Sequence, residues 1–280
     1  MQTKLNLPSN TVHKGHNGKL LVIGGSRLFH AASLWSAQVA SHLVDMVFYA
    51  STSENNAFAK TAKSNFRDGI VIEREQVIDY ATEADVILLG PGLARGQQNP
   101  QLLQELLASG QTLTPEQWQN DTSLITNWLL AHFPDKKFVL DAGALQMLDT
   151  RSLTPHCILT PHQGELTLLQ QNATKHQCQD KLAATTILSK NIIDEVWQGG
   201  QKLLTITGGN EGLTKGGSGD VLAGTVAGLY CYNDAVTACE WGSGAVKKTA
   251  EMLYQTYGPF FTTTQLADNL PATLWQLIHA

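Results

Sequence analysis

Short apolar runs separated by amphipathic stretches set the strongest limit on what this 280-residue chain can fold into. The runs 19–24, 45–49, 85–89, 137–140, 157–160 and 185–189 have the length and composition of strands buried on both faces. Among them, stretches 31–43, 99–108, 122–132 and 174–184 repeat their apolar residues at helical spacing. This alternation predicts an α/β architecture of three layers, a mostly parallel central sheet with helices on both faces. Beyond residue 190 the pattern changes. Runs 193–197 and 202–207 flank Gln198-Gly199-Gly200-Gln201, which reads as a β-hairpin, and four helical stretches follow at 221–232, 235–257, 264–269 and 271–279. No linker-like composition or internal repeat interrupts the chain, so one domain over 1–280 is expected. The polar stretch 109–121, with Thr114-Pro115-Glu116 as a helix start, reads as a surface excursion, with a lid or interface arm as the alternative.

Charge narrows the partners. A formal net charge of −5 and the lack of any Lys/Arg cluster argue against a nucleic-acid backbone as ligand. No apolar run approaches the roughly 20 residues of a membrane span, and Met1-Gln2-Thr3-Lys4-Leu5 lacks the order of a signal peptide, so a cytoplasmic location is expected. Cys157, Cys178, Cys231 and Cys239 have no ligand spacing and read as small hydrophobes. Trp35, Trp197, Trp241 and Trp275 read as core or subunit contacts, and Lys247-Lys248 as a solvated helix face.

In parallel sheets ligands gather at the carboxyl ends of strands. The strongest chemical signal is Gly216-Gly217-Ser218-Gly219-Asp220, placed before the helical stretch that starts at 221. Residues without bulk leave backbone amides bare at a helix start, where the positive end of the helix dipole favours phosphate. Asp220 reads as the helix cap and as a base able to take a proton from an attacking hydroxyl; the bland reading is a cap alone. Gly24-Gly25-Ser26 and Gly90-Pro91-Gly92-Leu93 are turns with exposed amides. Asp141 either caps the helix after 137–140 or lies in the cleft near a phosphate-bound Mg²⁺. His162 and Glu165, in Thr160-Pro161-His162-Gln163-Gly164-Glu165, are candidates to bond a ligand and to orient water or metal.

Taken in order, these segments resemble one family. Lys14-Gly15-His16-Asn17-Gly18, Gly24-Gly25-Ser26, Gly90-Pro91-Gly92-Leu93, Leu140-Asp141-Ala142-Gly143-Ala144-Leu145, Leu159 to Glu165, and Gly209 through Gly224 are similar to the ADP/ATP-dependent NAD(P)H-hydrate dehydratases, which have the ribokinase-like fold. The resemblance implies cofactor repair: the S epimer of hydrated NADH or NADPH is phosphorylated on its ring hydroxyl by ADP or ATP with Mg²⁺, and phosphate then leaves. It implies that Asp220 activates the hydroxyl and that Ala32, Gly92, His162 and Asp220 contact the hydrated dinucleotide. It places Lys190, Asn191, Ile192, Ile193, Asp194 and Gly219 on the adenine nucleotide, with Asp141, Glu165, Gly216, Gly217 and Ser218 in support. A homo-oligomer is expected, and a separate protein as epimerase, because the dehydratase pattern starts at Lys14. Departures are Gly143 for a usual Asp, Asn191 for a usual Gly, Phe29 for a usual Tyr and Ala31 for a usual Gly. Competing readings are a small-alcohol kinase of the same fold, such as a hydroxyethylthiazole kinase, and a nucleotide-binding protein without turnover.

Overall fold

The structure, a computed structural model, describes residues 1–61 and 68–280. In chain order its elements are β1 (Lys19–Ile23), α1 (His30–Ser41), β2 (Met46–Ser51), α2 (Ser53–Thr61), β3 (Ile70–Glu73), α3 (Val77–Glu83) and β4 (Val86–Leu89). Then come α4 (Pro100–Ser109), α5 (Pro115–Asn120), α6 (Thr122–His132), β5 (Lys137–Leu140), α7 (Ala142–Met147), β6 (Cys157–Leu159), α8 (Gln163–Lys175), α9 (Gln179–Ala184) and β7 (Thr186–Ser189). The hairpin β8 (Asp194–Gln198) and β9 (Gln201–Ile206) precedes α10 (Ser218–Tyr230), α11 (Ala235–Tyr257) and α12 (Thr263–Ile278).

Among the described residues the strands form one sheet in the order β3-β2-β1-β4-β5-β6-β7-β8-β9. Strands β1 to β7 are parallel, and the hairpin is added antiparallel at one edge. Side chains alternate between faces along a strand, and here both faces are apolar. Leu20, Val22, Val86 and Leu88 enter one core with α1, α10, α11 and α12, while Leu21, Ile23, Ile87 and Leu89 enter the other with α3 to α9. That is the three-layer arrangement expected from the apolar runs. The strand order reverses between β1 and β4, which opens a crevice at their carboxyl ends. Among the described residues no helix is long and apolar enough to cross a membrane.

Several sequence-based boundaries are corrected. The helix expected over 174–184 is two: α8 ends at Lys175, Gln177 takes a left-handed φ of 53°, and α9 starts afresh. Much of α8 went unread because Gly164 in its first turn disguises a helix start. The two helices expected on either side of residue 270 are one, with Pro271 inside. Leu266, Ala267, Leu270 and Leu274 bury one continuous stripe, and that packing outweighs the local cost of the proline. Lys247 is not on a solvated face: it is 5% exposed, unlike its neighbour Lys248.

Candidate active site

Helix α10 starts at Ser218, so Asp220 is the third residue of its first turn and not its cap. The capping position belongs to Gly217, which has no side chain to offer. Gly217 has a φ of 102°, and a Cβ there would stand 2.5 Å from the Trp35 ring, so only glycine fits. Ser218 turns its hydroxyl back to the carbonyls of Leu213 and Lys215 at 2.6 and 2.9 Å. Thr263 donates to the Gly216 carbonyl at 2.9 Å. The loop is thereby fixed from behind, and its helix start has no side-chain cap.

Burial pushes the Asp220 carboxyl up to about 7, the Asp141 charge pushes in the same direction, and Lys190 opposes both. Its side chain accepts no hydrogen bond among the described residues, while its backbone carbonyl accepts one from Ser36 Oγ at 2.8 Å. A carboxyl poised near neutrality suits a general base.

Asp141 and Lys190 form the charged floor beside it. Asp141, 2% exposed, does not cap α7 with its side chain. Instead its Oδ1 accepts from Thr160 Oγ1 at 2.8 Å and from Lys190 Nζ at 2.5 Å. Asp141 thus holds the capping position of α7 without a side-chain cap, and its carboxylate is engaged by Lys190 and Thr160. Burial alone would lower the Lys190 ammonium, but its contact with Asp141 and the nearby Glu165 and Asp220 carboxylates hold it raised and charged. An added Cβ on Gly219 would lie 3.5 Å from Lys190 Nζ, so this cation stands against the glycine-rich helix start.

His162 adjoins Lys190 through a parallel bridge and caps α8. Its Nδ1 accepts from the amides of Gly164 and Glu165 at 3.0 and 3.3 Å, which leaves the proton of the neutral ring on Nε2. The ring is 59% exposed and can present that proton to a ligand. Glu165 is buried and committed, accepting from the His162 amide at 3.1 Å and from Gln146 at 2.9 Å. It braces the loop, and its Oε1 lies 3.6 Å from His162 Nε2.

In the 190–194 segment, Asp194 accepts from the Asn191 amide at 2.8 Å and from Ser243 at 2.7 Å. Buried Lys247, which sequence reading missed, ties the segment down through the Ile192 carbonyl at 2.9 Å and pairs with Asp194 at 3.5 Å. The Asn191 carbonyl oxygen Oδ1 folds onto the Ile192 amide at 2.9 Å. Ile192 and Ile193 are 86% and 48% exposed, an apolar ledge. A cleft of about 110 Å³ brings Lys190, Asn191 and Asp194 together with Ser218 and Gly219, while Ile192 and Ile193 do not line it.

Of the dinucleotide candidates, His162 and Asp220 adjoin Lys190, while Ala32 and Gly92 lie at the start of α1 and the turn after β4. A Cβ on Gly92 would meet the Phe29 carbonyl at 2.5 Å and Ala32 Cβ at 3.0 Å, so the Gly90–Leu93 turn fits closely over the start of α1. Gly143 is where it is because an added Cβ would collide with the Leu93 backbone. The departure at 143 therefore reflects a closed contact, not an emptied cleft position. Arg74, which carried no signal in the sequence, is 2% exposed and braces the Gly24-Gly25 turn from beneath. A cavity of about 520 Å³ between α8, α9 and β8 contains none of these residues, and its one carboxylate, Glu195, is held low by Lys202.

Residues 20–272 match the family model described as NAD(P)H-hydrate dehydratase. The chain belongs to that family. It is 28% identical to the bifunctional NAD(P)H-hydrate repair enzyme Nnr of Methanocaldococcus jannaschii, over 94% of this chain and 49% of the relative. The chain spans about half the length of the first curated relatives it matches. It is also 28% identical to the ADP-dependent (S)-NAD(P)H-hydrate dehydratase of Enterococcus faecalis, over 79% of this chain and 72% of the relative. Its fold is that of a ribokinase-like superfamily protein from Enterococcus faecalis, with a TM-score of 0.73, 21% identity, and coverage of 97% of this chain and 92% of the other.

Proposed function

We propose that this chain repairs hydrated NADH and NADPH, dehydrating the S epimer at the expense of ADP or ATP. The observation that carries the reading is the Asp220 carboxyl, held near neutrality beside bare helix amides and a lysine paired with a buried aspartate. Family membership supports it.

The hydrated ring lies against Ala32 and Gly92, with His162 Nε2 as a hydrogen-bond donor. Asp220 takes the proton of the ring hydroxyl as its oxygen attacks the terminal phosphorus of the nucleotide. The bond to the nucleotide's bridging oxygen breaks, and AMP leaves when ADP is the donor. The amides of Gly219 and Asp220 and the Lys190 ammonium meet the charge on the transferring group. Phosphate then departs with the electron pair of the ring C–O bond, a proton leaves the neighbouring carbon, and the double bond is restored. Among the described residues no group of three or more His, Cys, Asp or Glu gathers to hold a metal. Asp141 is engaged by Lys190 and Thr160, so Asp220 is the carboxylate free to approach a Mg²⁺ bound to nucleotide phosphates, where the ion would offset their charge.

The test is the near-ultraviolet absorbance of reduced nicotinamide after mixing the protein with Mg²⁺, hydrated NADH or NADPH, and ADP or ATP. A nucleotide-dependent rise with release of free phosphate is expected. A phosphorylated product that accumulates without that rise would make the protein a small-alcohol kinase, and binding without any product would make it a nucleotide-binding protein.

A further inference from the structure

Strand β7 has a parallel neighbour, β6, on one side and an antiparallel one, β8, on the other. In the antiparallel register Ile187 is paired with Trp197 and Ser189 with Glu195. The residues between them, Leu188 and Val196, enter the core beneath α11, so these two pairs point to the opposite face of the sheet. There they meet one side of α8, where Gln163, Leu166, Gln170 and Thr174 recur at helical spacing, and the short α9. The hairpin tip is held against α9 by the Gly199 amide, which donates to the Ala183 carbonyl at 2.9 Å. The space enclosed is the cavity of about 520 Å³. That volume lies in the range of small-molecule sites, roughly 300–1,000 Å³. Asp194, one residue before Glu195 and on the other face of β8, lines the nucleotide cleft, so the sheet separates the two spaces.

The lining decides which ligand fits. Among the described residues no lysine or arginine lines the cavity. Its carboxylate, Glu195, is already satisfied, by Lys202 Nζ at 3.0 Å and by Trp197 Nε1 at 3.1 Å. A phosphate or carboxylate would therefore meet no free cation, and its desolvation would go uncompensated. The floor is apolar, built from Trp197, Ile187, Leu166 and Leu182. Around it stand neutral hydrogen-bonding groups. Ser189 is 6% exposed, and its hydroxyl, in the cavity wall, has no hydrogen-bond partner among the described residues. A buried hydroxyl left in that state calls for a partner from outside the chain. The side-chain amides of Gln163, Gln170 and Gln179 are likewise unengaged among the described residues. A carboxamide both donates and accepts, which complements the edge of a nucleobase, and an indole gives such a ring a face to stack on.

We propose that this cavity is a second binding site, separate from the catalytic cleft, for an uncharged nucleobase or its nucleoside. The ring lies against Trp197 and turns its polar edge to Ser189 and the glutamine amides. The site backs onto the catalytic loop: Gln163 follows His162 and Ser189 precedes Lys190, the two residues joined by the parallel bridge.

The experiment is calorimetric titration of adenosine into the protein saturated with ADP and NADPH, which fills both halves of the proposed catalytic cleft. Adenosine should still bind, at one site per chain, and AMP should bind there at least about tenfold more weakly because its phosphate meets no cation. Ala183→Trp, at a half-exposed lining position, should abolish adenosine binding and leave ADP affinity as it is. Gln170→Ala, on the exposed side of α8, should weaken adenosine by about three- to tenfold, and it serves should the larger residue prevent folding. No adenosine binding to the saturated protein, or binding that Ala183→Trp and Gln170→Ala leave unchanged, would overturn the site. AMP binding as tightly as adenosine would overturn the assignment to an uncharged ligand.

Discussion

Replacing Asp220 by Asn should stabilise the folded protein and at the same time disable it. The native carboxyl titrates at about 7 against an ordinary value of 3.8, first because it is buried, then because Asp141 is near. Between those two values the unfolded chain holds fewer protons than the folded one, so folding stability falls as pH rises through the window and levels off above it. A shift of about three units at about 1.4 kcal/mol each sets an upper bound of about 4 kcal/mol above pH 7, falling to about 2 kcal/mol at pH 5. Asn fills the same space without the charge and escapes this penalty. Urea unfolding of wild type and Asp220→Asn, without nucleotide, should show the variant more stable at pH 8 and the gap narrowing by about 2–3 kcal/mol at pH 5. Turnover of hydrated NADPH should fall by a factor on the order of 10² to 10⁴, with ADP affinity retained. A variant no more stable than wild type at pH 8, or a gap independent of pH, would show that the carboxylate is not desolvated as the structure has it.

The rate of the wild type, as kcat/KM for hydrated dinucleotide, should rise with pH through about 7, and Lys190→Met should move that rise to higher pH because Lys190 holds the Asp220 carboxyl down. A limb that stays in place in Lys190→Met would separate the lysine from the base. Gly143→Asp, which restores the usual family residue, should not improve activity: its Cβ strikes the Leu93 backbone, so a loss of roughly 1–3 kcal/mol in unfolding stability and a raised KM for the dinucleotide are expected. Wild-type stability with improved turnover would refute the closed contact.

Strands β1 and β4 to β7 were legible because both of their faces are buried, which leaves continuous apolar runs in the sequence. Helix α6 was readable to the residue, with Asp121 capping through the Leu124 amide. The region between β2 and β4 was not read. There β3 is a four-residue edge strand, and α2 buries Asn55 and Asn56, so neither shows an apolar period. The site divides the same way. Glycines and carboxylates at strand ends announced Gly92, Asp141, His162 and Asp220, because backbone approach and charge at those places need particular residue types. Arg74 and Lys247 gave no warning. Each works by donating to carbonyls of segments distant in sequence, and a carbonyl leaves no mark on residue identity. Asp220 was found for a partly mistaken reason, since the glycine before Ser218 holds the capping position.

The placement of Asp220 one turn into α10 has a chemical consequence. A carboxylate that caps a helix receives amide hydrogen bonds, which stabilise its charged form and weaken it as a base. At the third position Asp220 receives none among the described residues, and Gly217 leaves the amides of the first turn without a side-chain cap. Asp141, by contrast, spends its charge on Lys190 and Thr160. Two aspartates near one lysine thus divide the work: Asp141 fixes the cation, and Asp220, half-buried and without donors among the described residues, keeps its affinity for a proton.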